Sequence, residues 1–151
     1  MRSIVEWDTN KPLGEIEQVE HTYAVIGNMN EHQLTVVEST WGGRPELVDT
    51  TGIIDYGSLM QLALERAKTA REAIKVMTGL VKKYGYYSSG ESFTIADPNE
   101  AWILDLIGKG PGRRGAVWVA VRIPDDCIAG HANYPRIHKI PMDDKENCLY
   151  S

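Results

Sequence analysis

Two asparagines have side-chain amides that could donate hydrogen bonds to a developing oxyanion. Asn30 lies in the turn at residues 27–31, and Asn133 follows an apolar segment that ends at residue 132. A neutral amide that donates to a developing oxyanion stabilises it by about 2.7–4 kcal/mol, judged from the removal of one such donor. Asparagine is also a common turn residue, because it tolerates the left-handed backbone conformation. The residues alone therefore leave a catalytic and a structural interpretation open.

The other reactive residue types form no complete catalytic set. Cys127 and Cys148 make no CxxC pair, and the four histidines lack the i, i+4 spacing of a helical metal site. Cys127 follows Asp125 and Asp126, whose charges disfavour a thiolate, so we expect a small strand residue there. The glycine-rich residues 108–115 lie between two strands, which is typical of a hairpin link and not of a phosphate loop. We expect no metal and no cofactor.

Composition limits the classes of partner. The chain has 151 residues, of which 42% are hydrophobic and 25% charged, as in globular domains. Its net charge of −5 disfavours nucleic acid as the main partner. No apolar run approaches the ~20 residues that a membrane span needs, and no signal-type segment opens the chain. The chain as written is therefore expected to be cytoplasmic, without nucleic acid or membrane partners.

The first half of the chain predicts a hairpin followed by two helices. Residues 1–19 have no sustained period and are expected to form an irregular lead-in. Strands are predicted at 22–26 and 33–37, with a loop over residues 41–52. Asp55 can cap a helix over residues 56–67. Thr69 opens a capping box before a second helix, whose apolar stripe ends near Gly85.

The second half predicts an antiparallel meander. Strands are expected at residues 92–96, 101–107, 116–121 and 127–132, which gives an α+β fold with antiparallel sheets and two helices. Strands 101–107 and 116–121 are apolar at nearly every position, so both faces of the sheet should be covered. Two helices can cover one face only. Residues 143–151 show no closing element, and the chain is expected to be cut at both ends.

Six ordered segments resemble the cysteine dipeptidases of the dipeptidase A type, a branch of the N-terminal-nucleophile hydrolases. They are residues 21–32, 38–44, 52–58, 67–73, 89–97 and 131–133. The resemblance implies that residues 1–151 are part of a four-layer αββα sandwich. It also implies hydrolysis of dipeptides or small peptides by a cysteine whose own α-amino group serves as the base.

The nucleophile of this family is not found at the expected place. Family members carry that cysteine at the mature N-terminus, upstream of the matched region, whereas this sequence has no cysteine before Cys127. The resemblance therefore implies a partial catalytic domain over residues 1–151 that is inactive alone. A homo-oligomer or a missing N-terminal segment stays open as the protein partner, and export of the parent protein stays open as well.

The resemblance also suggests roles for four residues. Related choloylglycine-type and penicillin-acylase-type hydrolases place one asparagine in an Asn-Glu turn and another after a later strand. Asn30 and Asn133 are thereby implied as oxyanion or substrate-orienting residues. Glu38 and Arg44 have the charges to bind the α-ammonium and α-carboxylate of a dipeptide. Charged residues of a surface loop with no ligand are the commoner alternative for that second pair.

Two further interpretations compete with the dipeptidase fragment. The chain could be a non-catalytic peptide-binding module, or the complementing half of a split hydrolase. It could also be a structural remnant whose exposed apolar face promotes aggregation.

Overall fold

The computed structural model describes all residues from 1 to 151, and the chain has the α+β fold that its sequence predicts. Nine strands and two α-helices are present, with a single 3₁₀ turn at Pro45–Leu47. In chain order the elements are β1 (Arg2–Val5), β2 (Pro12–Ile16), β3 (Val25–Ile26), β4 (Met29–Asn30), β5 (Thr35–Gly42), α1 (Tyr56–Arg66), α2 (Ala70–Tyr84), β6 (Gly90–Ala96), β7 (Ala101–Gly108), β8 (Ala116–Ile123) and β9 (Cys148–Tyr150).

The main sheet is an antiparallel meander of seven strands. Strands β3 to β9 lie side by side in the order of the sequence. The long central strands lie where the apolar runs of the sequence predict them, and β6, β7 and β8 pair in continuous register. The predicted strand at residues 22–26 is shorter in the structure, because only two residues pair before the turn into β4.

Both helices begin at the predicted caps. The Asp55 carboxylate accepts a hydrogen bond from the Ser58 backbone N–H at the start of α1, and the Thr69 hydroxyl accepts one from the Glu72 N–H in α2. These bonds satisfy backbone donors that the first helical turn cannot pair internally. Gly85 ends α2 with a φ of 81°, a conformation that favours glycine. The two helices are confirmed.

The hydrophobic core lies between the helices and one face of the sheet. Side chains alternate between the two faces of a strand, so β6 and β7 direct Phe93, Ile95, Trp102 and Leu104 toward the helices, and all four are fully buried. The apolar stripe of α2 packs on them through Ile74 and other buried side chains. One layer of helices over one antiparallel sheet is the arrangement expected for half of an αββα sandwich.

The opposite face of the sheet is crossed by an irregular segment at residues 124–147. The prediction of a strand at residues 127–132 is therefore wrong. The edge of β8 is already occupied, because Val119–Val121 pair with the short terminal strand β9. That strand also corrects the expectation that residues 143–151 contain no closing element. The segment before it instead folds back over the face of the sheet.

The N-terminal residues are not irregular, contrary to the prediction. Strands β1 and β2 form a separate hairpin that packs on α1 through the buried side chains Ile4 and Ile16. The Arg2 guanidinium pairs with Glu65 of α1, and the Trp7 N–H donates to the Asp55 carboxylate at 2.7 Å. Each strand has one buried apolar residue, which is too few to give a visible period.

Candidate functional site

A row of polar side chains crosses the face of the sheet that the helices do not cover. Ser39 of β5 lies opposite Ser92 of β6, which lies opposite Asp105 of β7. Directly opposed residues of antiparallel strands share a face and lie about 4.5–5.5 Å apart at their Cβ atoms. The three side chains therefore form a continuous polar row, and the chain segment at residues 131–137 lies against it.

Asp105 anchors that segment to the sheet. Its side chain is 7% exposed, and one carboxylate oxygen accepts the backbone N–H groups of Arg136 and Ile137 at 3.1 and 3.0 Å. The other oxygen accepts the hydroxyl of Ser92. A carboxylate in a buried position is stable only when its lone pairs are satisfied in this way. Asp105 of β7 thus supplies the acceptor for two backbone N–H groups of the segment that lies against this face of the sheet.

Asn133 lies on the polar row, where its amide is partly free. Its backbone φ is 51°, in the left-handed region that asparagine tolerates. The Ser39 hydroxyl accepts the Asn133 backbone N–H at 2.6 Å, and the Asn133 Nδ2 donates to the Thr40 carbonyl at 2.6 Å. An amide nitrogen carries two hydrogens, so one N–H of this exposed side chain has no partner in the protein.

His131 adds a ring nitrogen next to the polar row. Its Nε2 lies 2.6 Å from the hydroxyl of Thr94, a β6 residue on the same face as Ser92. The Nδ1 atom is buried and has no hydrogen-bond partner.

Asn30 occupies a different place, inside the protein. It is 5% exposed, and its Nδ2 donates to the carbonyls of Leu64 and Ala67 at the C-terminal end of α1, both at 2.8 Å. Its Oδ1 accepts the N–H groups of His32 and Leu34. All four hydrogen-bonding positions of the amide are therefore used within the protein.

The structure does not bring the two asparagines together. Asn30 ends β4, whose Met29 pairs with Thr35 at the start of β5, whereas Asn133 contacts Ser39 and Thr40, four and five residues further along β5. Five residues of strand span about 17 Å. A shared oxyanion site made by both amides stays a prediction, and Asn133 is the one with a free donor.

Glu38 and Arg44 contact different neighbours and not each other. The Arg44 guanidinium donates to Glu46 at 2.8 Å from Nε, in an exposed pair before the 3₁₀ turn. Glu38 faces the helix side of β5, where the Thr40 hydroxyl lies 3.3 Å from its Oε2. Their substrate-binding roles stay predictions.

The two cysteines differ in environment. Cys127 is exposed in the irregular segment, and its Sγ lies 3.6 Å from the Asp126 carboxylate. Cys148 is buried in β9, and burial followed by the charge of Asp144 raises its pKa. Neither thiol takes part in a hydrogen bond with Asn133, Ser39 or Asp105. The expectation that Cys127 is a small strand residue is wrong, because no strand forms there.

An apolar cavity of about 750 Å³ lies next to the polar row. Ile103 and Val121 of the sheet form its floor, and Ile128, Ile137 and Ile140 of the irregular segment form its wall. Arg136 also lines it, adjacent in sequence to the backbone that Asp105 holds. Apolar side chains with a few polar groups at one end are the usual composition of a small-ligand site.

A second group of side chains was not identified from the sequence. Glu91 of β6 is 1% exposed, its Oε1 accepts the Thr40 hydroxyl at 2.8 Å, and its Oε2 is buried without a partner. Burial is the main cause that raises the pKa of Glu91 to about 8, and the nearby Glu38 carboxylate raises this pKa further. A buried carboxyl group with a perturbed pKa is a recognised marker of a functional position.

Replacement of Glu91 by glutamine is expected to remove a pH dependence of stability. Between pH 4.5, the ordinary pKa of this group, and about pH 8, the unfolded chain loses the Glu91 proton while the folded chain retains it. Stability therefore falls as pH rises through this window, and does not change further above it. Urea unfolding should show a larger stabilisation by Glu91→Gln at pH 8 than at pH 5. The exposed Glu20→Gln is the control, and an equal effect of Glu91→Gln at both pH values would contradict the assignment.

Asp105 and Glu91, which are not identified from the sequence, differ in the signal that the sequence contains for them. Asp105 is a single charged residue within the apolar run of β7, which is a signal that the sequence does contain. Glu91 looks like an ordinary polar residue at the start of a strand, and only the fold buries it. No group of three or more histidine, cysteine, aspartate or glutamate side chains is placed to hold a metal ion. None of the helices has the length and apolarity required to traverse a lipid bilayer.

Known proteins resemble this chain along most of its length. A family model described as peptidase family C69 matches residues 2–151. A probable dipeptidase of Latilactobacillus sakei is 36% identical over 94 residues, 62% of this chain and 18% of the relative. A probable dipeptidase B of Lactococcus lactis subsp. lactis (strain IL1403) is 35% identical over 88 residues, 58% of this chain and 17% of the relative.

A third relative gives the same picture. A dipeptidase of Bifidobacterium longum (strain NCC 2705) is 30% identical over 104 residues, 68% of this chain and 17% of the relative. The matched stretch thus covers less than a fifth of the length of each of these three proteins. Because the family match extends over almost every residue, the chain belongs to peptidase family C69.

Proposed function

We propose that this chain forms part of the catalytic domain of a dipeptidase. The observation that carries the proposal is the free amide N–H of Asn133, held on the polar row beside the apolar cavity. Three relatives are named as dipeptidases or probable dipeptidases, which supports peptides as the substrate class. The nucleophile in this proposal is an N-terminal cysteine outside residues 1–151.

The proposed chemistry has two steps, in which Asn133 stabilises charge. The cysteine thiolate attacks the peptide carbonyl, and the Nδ2 of Asn133 donates to the oxyanion that forms. The amine of the second residue leaves with a proton from the α-ammonium of the cysteine, and a thioester remains. Water then hydrolyses the thioester, which releases the first amino acid and restores the thiol. The apolar cavity would hold a substrate side chain.

Asn30, Glu38 and Arg44 keep subsidiary places in this proposal. Asn30 would orient the substrate indirectly, because its hydrogen bonds hold the turn before β5 against α1. Arg44 would meet the α-carboxylate of a peptide, for which it must leave the exposed pair with Glu46. Exposed ion pairs contribute little to stability because solvent screens them, so that exchange costs little. The role of Glu38 toward the α-ammonium stays a prediction, because Glu38 and Asn133 lie on opposite faces of the sheet.

Reconstitution of peptide hydrolysis tests the proposal. The purified chain is assayed on a dipeptide library, alone and with an added peptide that carries the family-type N-terminal cysteine strand. We expect hydrolysis only with the added strand, and a drop of about 100-fold in kcat when Asn133 is replaced by alanine. The variant Glu20→Gln, at an exposed position remote from the polar row, is the control.

Two outcomes would overturn the proposal. If the chain alone hydrolyses dipeptides and Cys127→Ala abolishes this activity, the nucleophile is Cys127 and not an external cysteine. Absence of hydrolysis with the strand bound would favour the second candidate, a non-catalytic peptide-binding module. The cavity of about 750 Å³ is the observation that favours this candidate, because it can take an apolar side chain without any chemistry.

A further inference from the structure

A pocket of about 320 Å³ lies on the helix side of the sheet, on the face opposite to the polar row, and Thr40, whose carbonyl accepts the Asn133 Nδ2, is one of its lining residues. The turn of the β1–β2 hairpin, the start of α1 and the adjoining parts of β5 and β6 form its walls. We call it the acidic pocket, and it is lined by Glu6, Asp8, Thr40, Val48, Thr50, Tyr56, Tyr87, Ser88, Ser89 and Glu91. Three of these side chains are carboxylic acids, and none is basic.

Glu91 leaves an unsatisfied acceptor in the acidic pocket. Its Oε1 accepts the Thr40 hydroxyl, whereas its Oε2 is shielded from solvent and receives no N–H or hydroxyl donor, and the neighbouring Glu38 carboxyl is the one group that interacts with the protonated form. A buried carboxyl oxygen without a donor is unfavourable by an amount comparable to a lost hydrogen bond or more. A ligand that brings a positively charged N–H group would relieve this, and the protein itself supplies none.

Asp8, in the hairpin turn, offers a second acceptor. The Tyr56 hydroxyl donates to Asp8 Oδ1 at 2.8 Å, which orients the carboxylate and leaves its other oxygen available. Burial and then Asp8 raise the pKa of Tyr56 well above its ordinary value, so this hydroxyl stays a donor. Tyr56 also lines the wall, and aromatic rings attract organic cations, whereas the Tyr87 ring already has Lys11 Nζ 5.3 Å from its centroid.

We propose that the acidic pocket binds the protonated primary amine of a small organic molecule, with Glu91 Oε2 and Asp8 as the acceptors. A primary ammonium carries three N–H donors, which match acceptors on two walls. A pocket of about 320 Å³ admits a molecule of several heavy atoms, so the amine can carry an organic group. This site is separate from the polar row, and the inference stands whether or not the chain takes part in peptide hydrolysis.

The amine replaces a proton at Glu91. Because the pKa of Glu91 is about 8, its carboxyl group is mostly protonated at neutral pH. An ammonium stabilises the carboxylate, so binding lowers this pKa and releases a proton. Affinity therefore rises as pH approaches 8.

The other titratable or charged groups around the pocket are Glu6 and Asp8 of the hairpin turn, Glu38 of β5, Tyr56 and Asp55 at the start of α1, Tyr86 and Tyr87 before β6, and Lys11, whose Nζ donates to the Tyr87 hydroxyl.

A titration with a simple amine tests the inference on the full chain. The chain is labelled with carboxyl-¹³C glutamate and titrated with methylammonium chloride at constant ionic strength. Tetramethylammonium chloride has the same charge but no N–H donor. We expect saturable binding of methylammonium, a lower pKa of Glu91 when it is bound, and at least a tenfold weaker response to tetramethylammonium.

Two variants complete the experiment. Glu91→Gln retains the shape of the protonated side chain, so it should fold, and we expect it to weaken methylammonium binding at least tenfold. Asp8→Asn should weaken binding to a smaller extent, while Glu20→Gln removes the same charge at an exposed position and should have no effect. Unchanged binding in Glu91→Gln, equal binding of both cations, or no saturation by methylammonium would each overturn the inference.

Discussion

Replacement of Asn30 by alanine is expected to lower the free energy of unfolding by about 4 kcal/mol. The change leaves the Leu64 and Ala67 carbonyls and the His32 and Leu34 N–H groups without their partners in a buried place. Each lost hydrogen bond of this kind costs about 1 kcal/mol, and more when the remaining group stays shielded from water. Urea unfolding followed by far-ultraviolet circular dichroism measures the difference.

The neighbouring Asn28 provides a matched control. Its Nδ2 makes one hydrogen bond, to the Val36 carbonyl at 2.9 Å, and the residue is exposed. We expect Asn28→Ala to cost about 1 kcal/mol or less. A loss below 1 kcal/mol for Asn30→Ala as well would mean that the four hydrogen bonds contribute little. The Asn30 amide would then be available for a direct role toward substrate.

Replacement of Asp105 by alanine should detach the segment at residues 131–137 from the sheet. The carboxylate accepts the N–H groups of Arg136 and Ile137 and the hydroxyl of Ser92, and bonds to a charged acceptor are stronger than neutral ones. We expect a loss of about 3 kcal/mol in the free energy of unfolding. We also expect faster hydrogen exchange at the backbone amides of Arg136 and Ile137.

The exchange measurement separates anchoring from general destabilisation. The exposed variant Asp126→Ala removes the same charge from the irregular segment at residues 124–147 without touching these hydrogen bonds, and it should leave both exchange rates unchanged. Asp105→Ala could lower the global free energy of unfolding without speeding exchange at these two amides beyond that loss. In that case Asp105 does not anchor the segment. Detachment would also release Asn133 from Ser39. The proposed hydrolysis should therefore fall together with the protection of these amides from hydrogen exchange.

The sequence predicts those parts of the fold that local signals define. Asp55, Thr69 and Gly85 mark the ends of the helices because caps act within a few residues, and these boundaries are confirmed. The long strands β6, β7 and β8 are likewise visible as apolar runs. Residues 127–132 have the same local appearance, yet the edge of β8 pairs with β9. Competition for an edge is a property of the whole sheet, which no local pattern reports.

The candidate site was only partly predictable for a related reason. Asn133 was chosen on its residue type and on a resemblance, and its contacts with Ser39 and Thr40 join positions more than 90 residues apart in the chain. Glu91 becomes unusual only when Thr40, Tyr56 and the hairpin enclose it. Asp105 differs, since one carboxylate inside an apolar strand already requires a buried partner. That signal could have been used from the sequence.

The serial order of the seven-stranded sheet has a consequence for how the chain folds. From β6 to β9 each strand pairs with its neighbour in sequence, although an irregular segment of 24 residues precedes β9. The β5–β6 pairing instead closes a loop of 47 residues that contains both helices. Closing a longer loop costs more chain entropy, and the cost precedes the contacts that offset it. Strands β6, β7 and β8 can therefore pair as local hairpins, and we expect the joining of β5 to β6, which also brings Ser39 to the polar row, to be slower.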